Sequence, residues 1–304
     1  MASPTVFSWQ TTSRPIVALA PMAGVTDASY RQLIKRIAPE TIVYTEFLST
    51  DALHYGAKKT MEMLSFDPAI EKPFIVQVFG HDPEHFLSAA KIIEQMGADG
   101  IDINMGCPAA KVVSSCHGAA LMRDPKLAAE LVHATVKAVS IPVSVKTRLG
   151  WSDKEGLIGF CTGLVEAGAQ ALAIHGRRYC DKFTGKADWE PIYALKKAGN
   201  VPVIGNGDIA SAADALEKIG NLDGEVAENK TRINAIRFEL ARAANGFEQT
   251  QLLRTELERL QELVNPRNVV ARQADLQDKL DEISTQISFV ARGDNYTLSG
   301  ARVP

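Results

Sequence analysis

Seven short apolar runs each hand over to residues that could do chemistry. Ala20-Pro21-Met22-Ala23-Gly24 follows the first, Thr45-Glu46 the second, and Gln77 lies in the third. Asn104-Met105-Gly106-Cys107-Pro108 follows the fourth and Lys146-Thr147-Arg148 closes the fifth. His175-Gly176-Arg177 ends the sixth and Gly205-Asn206-Gly207-Asp208 the seventh. A planar, amide-rich ring would take Gln77 at its edge and Lys146 where negative charge builds on reduction. Pro21, Met22 and Ala23 are small or apolar enough to lie against its face. A phosphate tail needs backbone N–H groups, which Gly205-Asn206-Gly207 can offer at a helix start. That set describes flavin mononucleotide (FMN), with the protein supplying orientation and electrostatics and the cofactor carrying the hydride. Singly, each residue has an ordinary reading: a solvated lysine, a satisfied core amide, a hydrogen-bonded histidine, a plain turn. Their recurrence at the ends of successive strands outweighs those readings.

Cys107 sits in a Gly-Cys-Pro turn. It reads as an incidental turn thiol, as a nucleophile, or as a general acid. A nucleophile wants an adjacent base, and none stands beside it in sequence. A thiol near its usual pKa of roughly 8.5 can donate a proton at neutral pH. The other cysteines, Cys116, Cys161 and Cys180, fit no CxxC spacing and read as free, buried or incidental thiols. No metal site is expected.

The elements that must position these residues follow from the pattern of apolar runs. Candidate strands are Ile16–Ala20, Thr41–Tyr44, Phe74–Val78, Gly100–Ile103, Val143–Lys146, Ala171–Ile174 and Val201–Ile204. Each is apolar almost throughout, as expected of strands covered on both faces. Amphipathic segments Pro83–Met96, Pro125–Val139, Glu155–Ala167 and Trp189–Ala198 lie between them, with Gly97, Gly168 and Gly199 placed as stops. Polar residues at many strand ends point to a TIM-type β/α barrel, whose active face gathers those ends. No GxGxxG follows the first strand, which counts against a doubly wound dinucleotide fold.

Bulk properties agree. The chain has 304 residues, 46% of them hydrophobic, and a formal net charge of -3, so no global basic field announces a nucleic-acid partner. Met1–Arg14 is polar and lacks the apolar stretch of a signal peptide. No run approaches the roughly 18 apolar residues needed to span a bilayer. A soluble cytoplasmic protein with no membrane partner is the expectation.

The segments "LAPMAGVTDASYRQL", "VQVFG", "GIDINMGCPAAKVV", "GAALMRDP", "PVSVKTRLGW", "ALAIHGR" and "PVIGNGDI" together resemble the dihydrouridine synthase family, flavoenzymes that reduce uridine in tRNA. The resemblance runs from Leu19 to about Asp208, and softly to Gly224. It implies that Pro21, Met22 and Ala23 line FMN. Gln77, Lys146 and His175 would hold its ring, and Asn206, Gly207 and Asp208 its ribityl phosphate end. Asn104 would contact the target uracil, and Cys107 would protonate C5 while hydride reaches C6 from flavin reduced by NADPH. The uridine must then be unstacked into the mouth. Arg148, Arg177, Arg178, Lys182 and Lys186 would offer a local basic patch to tRNA phosphates, or else an ordinary solvated rim.

The family pattern stops at Asp223-Gly224. Glu225, Glu228, Asn229 and Lys230 cannot form a buried eighth strand. The expected division is therefore a flavin-binding barrel lacking its eighth strand over residues 1–224 and a helical tail over 225–304. In the tail, Ile233, Ile236, Leu240, Ala243 and Phe247 make heptad-like stripes, as do Leu253, Leu257, Leu260 and Val264. After Asn265-Pro266, Leu276, Leu280, Ile283, Ile287 and Val290 repeat the spacing. A helical hairpin and self-association through a coiled coil fit equally well. Three functions stand at this point: a flavin-dependent tRNA uridine reductase, an inactive truncated or fused barrel carried on a coiled-coil module, and a small-molecule flavin dehydrogenase. "NMGCP" favours the first over the third.

Overall fold

The computed structural model of this chain describes residues 7–12 and 15–223. The chain divides into two compact units, residues 1–208 and 209–304, and only 209–223 of the second are described. The expected coiled-coil stripes and the segment after Gly224 lie outside the described residues.

The apolar runs form one parallel sheet. Its strands are β1 (Val43–Tyr44), β2 (Leu48–Ser49), β3 (Phe74–Phe79), β4 (Gly100–Met105), β5 (Val143–Arg148), β6 (Ala171–His175) and β7 (Val203–Asn206). They run in the order β1-β3-β4-β5-β6-β7, with β2 also pairing on β3. The strands are buried on both faces, which is why β3 and β6 are apolar almost throughout; β4 alternates Ile with Asp102 and Asn104, yet all of it is buried. Register aligns Gln77 with Asp102, Asn104 with Lys146, Arg148 with His175, and His175 with Asn206. This is a TIM-type β/α architecture whose polar strand ends face one way.

Among the described residues the sheet has seven strands, and their membership differs from the sequence reading. Ile16–Ala20 contributes a single bridge, Ala18 to Ile42, through Leu19 N–H to Ile42 O at 2.9 Å and Ile42 N–H to Val17 O at 3.0 Å. Pro15 and Pro21 bracket it and supply no N–H to lengthen the ladder. Leu48–Ser49, too short to signal in sequence, takes up the seventh place. Among the described residues no strand pairs with the outer edge of β7.

The helices are α1 (Ala28–Ile37), α2 (Thr50–His54), α3 (Lys58–Glu62), α4 (Pro83–Gln95), α5 (Ala110–Val113), α6 (Pro125–Ala138), α7 (Leu157–Glu166), α8 (Glu190–Ala198) and α9 (Ala212–Asp223). Asp27, Asp82 and Asp124 cap α1, α4 and α6 by accepting a backbone N–H, and Pro83 and Pro125 open their helices. Gly97 and Gly168 follow α4 and α7 with φ of +83° and +111°, whereas Gly199 leaves α8 in an extended conformation. No described helix is long and apolar enough to cross a membrane.

One core residue lies in a segment that reads as merely polar. Trp9 is 1% exposed and packs with Ile42, Tyr44, Ile75 and Ala171, flanked by Phe7, Ile16, Ala18 and Ile204. These partners lie at or near the amino-terminal ends of their strands, so the indole floors the sheet at the end opposite the polar residues. The Phe7 ring meets it edge-on at 5.0 Å.

Candidate active site

The site begins with a polar side chain in the interior of β4. Asp102 is fully buried, where an unpaired carboxylate would be costly. Neighbouring strands satisfy it: Gln77 Nε2 donates to Oδ2 at 2.7 Å and Ser144 Oγ to Oδ1 at 2.6 Å. The Tyr44 hydroxyl shares a hydrogen bond with Ser144, and its pKa is raised by burial and then by Asp102. Burial pushes the Asp102 carboxyl up to about 6, against the pull of Gln77, Ser144 and Lys146. The chain of bonds runs on toward the strand ends. Asn104 Nδ2 donates to Gln77 Oε1 at 2.9 Å, and Asn104 Oδ1 accepts from Gly106 N–H at 3.1 Å and Cys107 N–H at 2.9 Å.

Cys107 is half-buried in the loop after β4. Its carbonyl accepts from Ala119 N–H at 3.1 Å. Gly118 approaches so closely that a Cβ there would lie 3.0 Å from Cys107 O and 2.9 Å from the Val112 side chain, at φ +59°. Arg148 Nε donates to Gly106 O at 2.9 Å. The thiol is thus carried on a loop held at several backbone points.

Cations gather at the ends of β5 and β6. Lys146 Nζ has a long contact, 3.4 Å, to Asn206 Oδ1, and enclosure lowers its pKa to about 8 despite the opposing pull of Asp102. His175 is pushed down to about 3, first by burial and then by Arg148, Lys146 and Arg177, so its ring is neutral at pH 7. Arg177 donates to Thr184 O and Gly185 O and grips both carboxylate oxygens of Asp208, at 2.7 and 2.9 Å. Arg148 also donates to Arg178 O and Lys182 O. Arg178 pairs with Asp181 and donates to Ser152 O.

The residues singled out in sequence therefore fall into distinct groups. Gln77 and Asn104 are joined by hydrogen bonds, Asn104 to the Cys107 loop, Lys146 to Asn206, and His175 to Arg177 at 3.3 Å. Pro21, Met22 and Ala23 form the turn after the first bridge. Thr26 Oγ1 closes it onto Met22, and Gly24 N–H donates to the Glu46 carboxylate. Gly205 and Asn206 lie within β7 and α9 starts only at Ala212, so the Gly-Asn-Gly turn does not open a helix directly. Gly207 has φ +117°, and a Cβ there would come within 2.9 Å of the His175 ring. Arg148 and Arg177 are buried and bonded to the protein's own loops, while Lys182 and Lys186 are exposed.

Several participants gave little signal in sequence. Asp102 and Ser144 look like the solvent side of an alternating strand. His81 and His117 face each other with Nδ1 and Nε2 2.7 Å apart, and His117 immediately precedes Gly118. Burial, then His81, lowers the pKa of His117. Cys161 is a buried core thiol whose pKa burial raises to about 12, while Cys116 and Cys180 are exposed, and all are free.

A parallel β/α barrel with a cysteine loop, a buried amide pair and a lysine at its strand ends gathers its polar groups on the face where barrels of this type carry their sites. Residues 18–228 match the family model described as dihydrouridine synthase, and the chain belongs to that family. It is 40% identical over 201 residues to the probable tRNA-dihydrouridine synthase 1 of Synechocystis sp., covering 66% of this chain and 56% of that one. It is 43% identical over 206 residues to a probable tRNA-dihydrouridine synthase of Rickettsia bellii, covering 66% and 63%. Over 203 residues it is 43% identical to tRNA-dihydrouridine synthase B of Pseudomonas aeruginosa, covering 66% and 60%. The matches thus span about three-fifths of the length of these curated relatives.

Proposed function

We propose that this chain reduces uridine in tRNA to 5,6-dihydrouridine, with Cys107 as the proton donor. The observation that carries the reading is the bonded series Gln77–Asn104–Cys107 loop beside Lys146 and His175, in a chain of this family. The donor set suits FMN. Lys146 is an enclosed ammonium with one long contact, leaving N–H groups for a ring that becomes anionic on reduction. Gln77 spends one amide hydrogen on Asp102 and keeps the other. Pro21, Met22 and Ala23 would line the ring face, and Asn206, Gly207 and Asp208 would lie toward the phosphate end. Bound FMN, reduced by NADPH, would supply the hydride for C6 of the uracil.

The chain's own residues account for the rest. Asn104 keeps one amide hydrogen for a uracil carbonyl. Cys107 delivers its proton to C5 as the C5–C6 double bond is lost, and solvent reprotonates the thiolate. Neutral His175 can donate or accept one hydrogen bond without adding charge. Arg148, Arg177 and Arg178, expected to meet tRNA phosphates, would act chiefly by shaping the loops beneath the RNA. Such a role belongs in the cytoplasm with the tRNA pool.

The test is the visible spectrum of the purified protein, followed by nucleoside mass spectrometry of tRNA incubated with it and NADPH. Flavin absorbance and dihydrouridine formation are expected, with Cys107→Ala keeping the flavin and losing the product. The absence of a further strand on β7 among the described residues favours a second reading, a barrel without activity. Colourless protein that forms no dihydrouridine even with added FMN would establish that reading and overturn the first.

A further inference from the structure

We propose that Asp102 is a positioning residue: its carboxylate sets the orientation of the Gln77 and Asn104 amides in series and, through them, holds the backbone of the Cys107 loop. An ionised carboxylate only accepts, so Gln77 must turn its NH2 toward Asp102, which leaves Gln77 Oε1 facing Asn104. Asn104 must then present its own NH2 to Gln77, which leaves Asn104 Oδ1 facing the N–H groups of Gly106 and Cys107. Reversing any link sets donor against donor at the next. An amide is nearly symmetric in shape, so packing alone does not choose its orientation. Two fixed ends do: the carboxylate of Asp102, which only accepts, and the backbone N–H groups of Gly106 and Cys107, which only donate.

The groups that face the carboxylate are Gln77 from β3, Tyr44 from β1, and Ser144 and Lys146 from β5. Ser144 donates to Oδ1, on the branch that does not lead to Cys107. That branch separates a structural role from a positioning one. A proton on Oδ2 would set donor against donor at the Gln77 end while the backbone N–H groups hold the other end, so acid should strain the chain and loosen the loop.

The inference rests on the reading of Cys107 as proton donor only for its catalytic consequence. Its test needs neither flavin nor tRNA, so the two can fail separately. Amide hydrogen exchange at Gly106 and Cys107 and the alkylation rate of Cys107 by iodoacetamide are measured in Asp102→Leu, which removes the acceptor, and in Ser144→Ala. Asp102→Leu should speed exchange at those amides by about fivefold or more and shift the alkylation rate at fixed pH, while Ser144→Ala leaves both within about twofold. Exchange in wild-type protein taken from about pH 7.5 to about pH 5, corrected for its intrinsic rate, should move toward that of the variant, which shows no such step. If Asp102→Leu does not accumulate as folded protein, Gln77→Met cuts the same chain one link on and is compared in the same way. Equal effects of the cutting variant and Ser144→Ala, or no effect of the cutting variant, would overturn the proposal.

Discussion

Replacing Arg148 by lysine keeps the charge and removes the fork, and the structure says what that costs. Arg148 as a whole is 2% exposed. It donates through Nε to Gly106 O at 2.9 Å and through Nη1 to Arg178 O at 3.1 Å and Lys182 O at 2.7 Å. It also lies 5.4 Å from the centroid of the Phe183 ring. One planar group therefore ties the Cys107 loop to the loop after β6. A lysine ammonium can reach one of these carbonyls but cannot fan across both loops. Losing two hydrogen bonds from a charged donor, each worth about 1.5 kcal/mol or more, amounts to about 3 kcal/mol. For a domain of this size that lowers Tm by roughly 6–12 °C. Thermal denaturation followed by circular dichroism measures it, with Arg178→Lys as the comparison, since the Arg178 side chain is 40% exposed and its ion pair with Asp181 is partly solvated and worth less. A shift below about 2 °C for Arg148→Lys, or one matched by Arg178→Lys, would refute the reasoning that the buried fork organises these loops.

Other outcomes follow from the same geometry. The His175 ring should show no protonation step between about pH 5 and 8 by NMR, and a midpoint near 6.5 would contradict its enclosure among cations. Because its folded pKa lies below the unfolded value, the unfolded chain binds the extra proton first, so this residue erodes stability as pH falls below about 6.5. Gly118→Ala should cost about 1–3 kcal/mol, because it combines a left-handed φ with contacts to Cys107 O and Val112, and an unchanged melting curve would count against that crowding. Trp9→Ala should cost about 3–5 kcal/mol in urea denaturation and admit a hydrophobic dye, whereas a neutral effect would mean the indole is not part of the core.

The central strands were legible because burial on both faces leaves a largely apolar run, broken only by Gln77 in "FIVQVF" and by Asp102 and Asn104 in "GIDINM". The margins were less so. Ile16–Ala20 is as apolar as any strand, yet its flanking prolines limit it to one bridge, and the two residues of β2 are too few to show a period. Asn104, Lys146 and His175 stood out because a polar residue closing an apolar run is costly without a purpose, and Gln77 because it interrupts one. Asp102 sits one step further in, where a carboxylate mimics the wet face of an alternating strand; only Gln77 and Ser144 on the neighbouring strands reveal it as buried. Arg148 and Arg177 announced positive charge but not which side of the loop it would serve, since that depends on carbonyls far along the chain.

Trp9 has a bearing on the order of assembly. It precedes every strand in sequence, yet the apolar partners around it include Ala171 and Ile204. Sequestering the indole thus means closing loops of well over a hundred residues, an entropic cost that local contacts do not share. During synthesis Phe7 and Trp9 must wait for Ala171 and Ile204 to emerge before their enclosure is complete. The floor is then a late seal, and shielding that waiting pair becomes a task for the nascent chain.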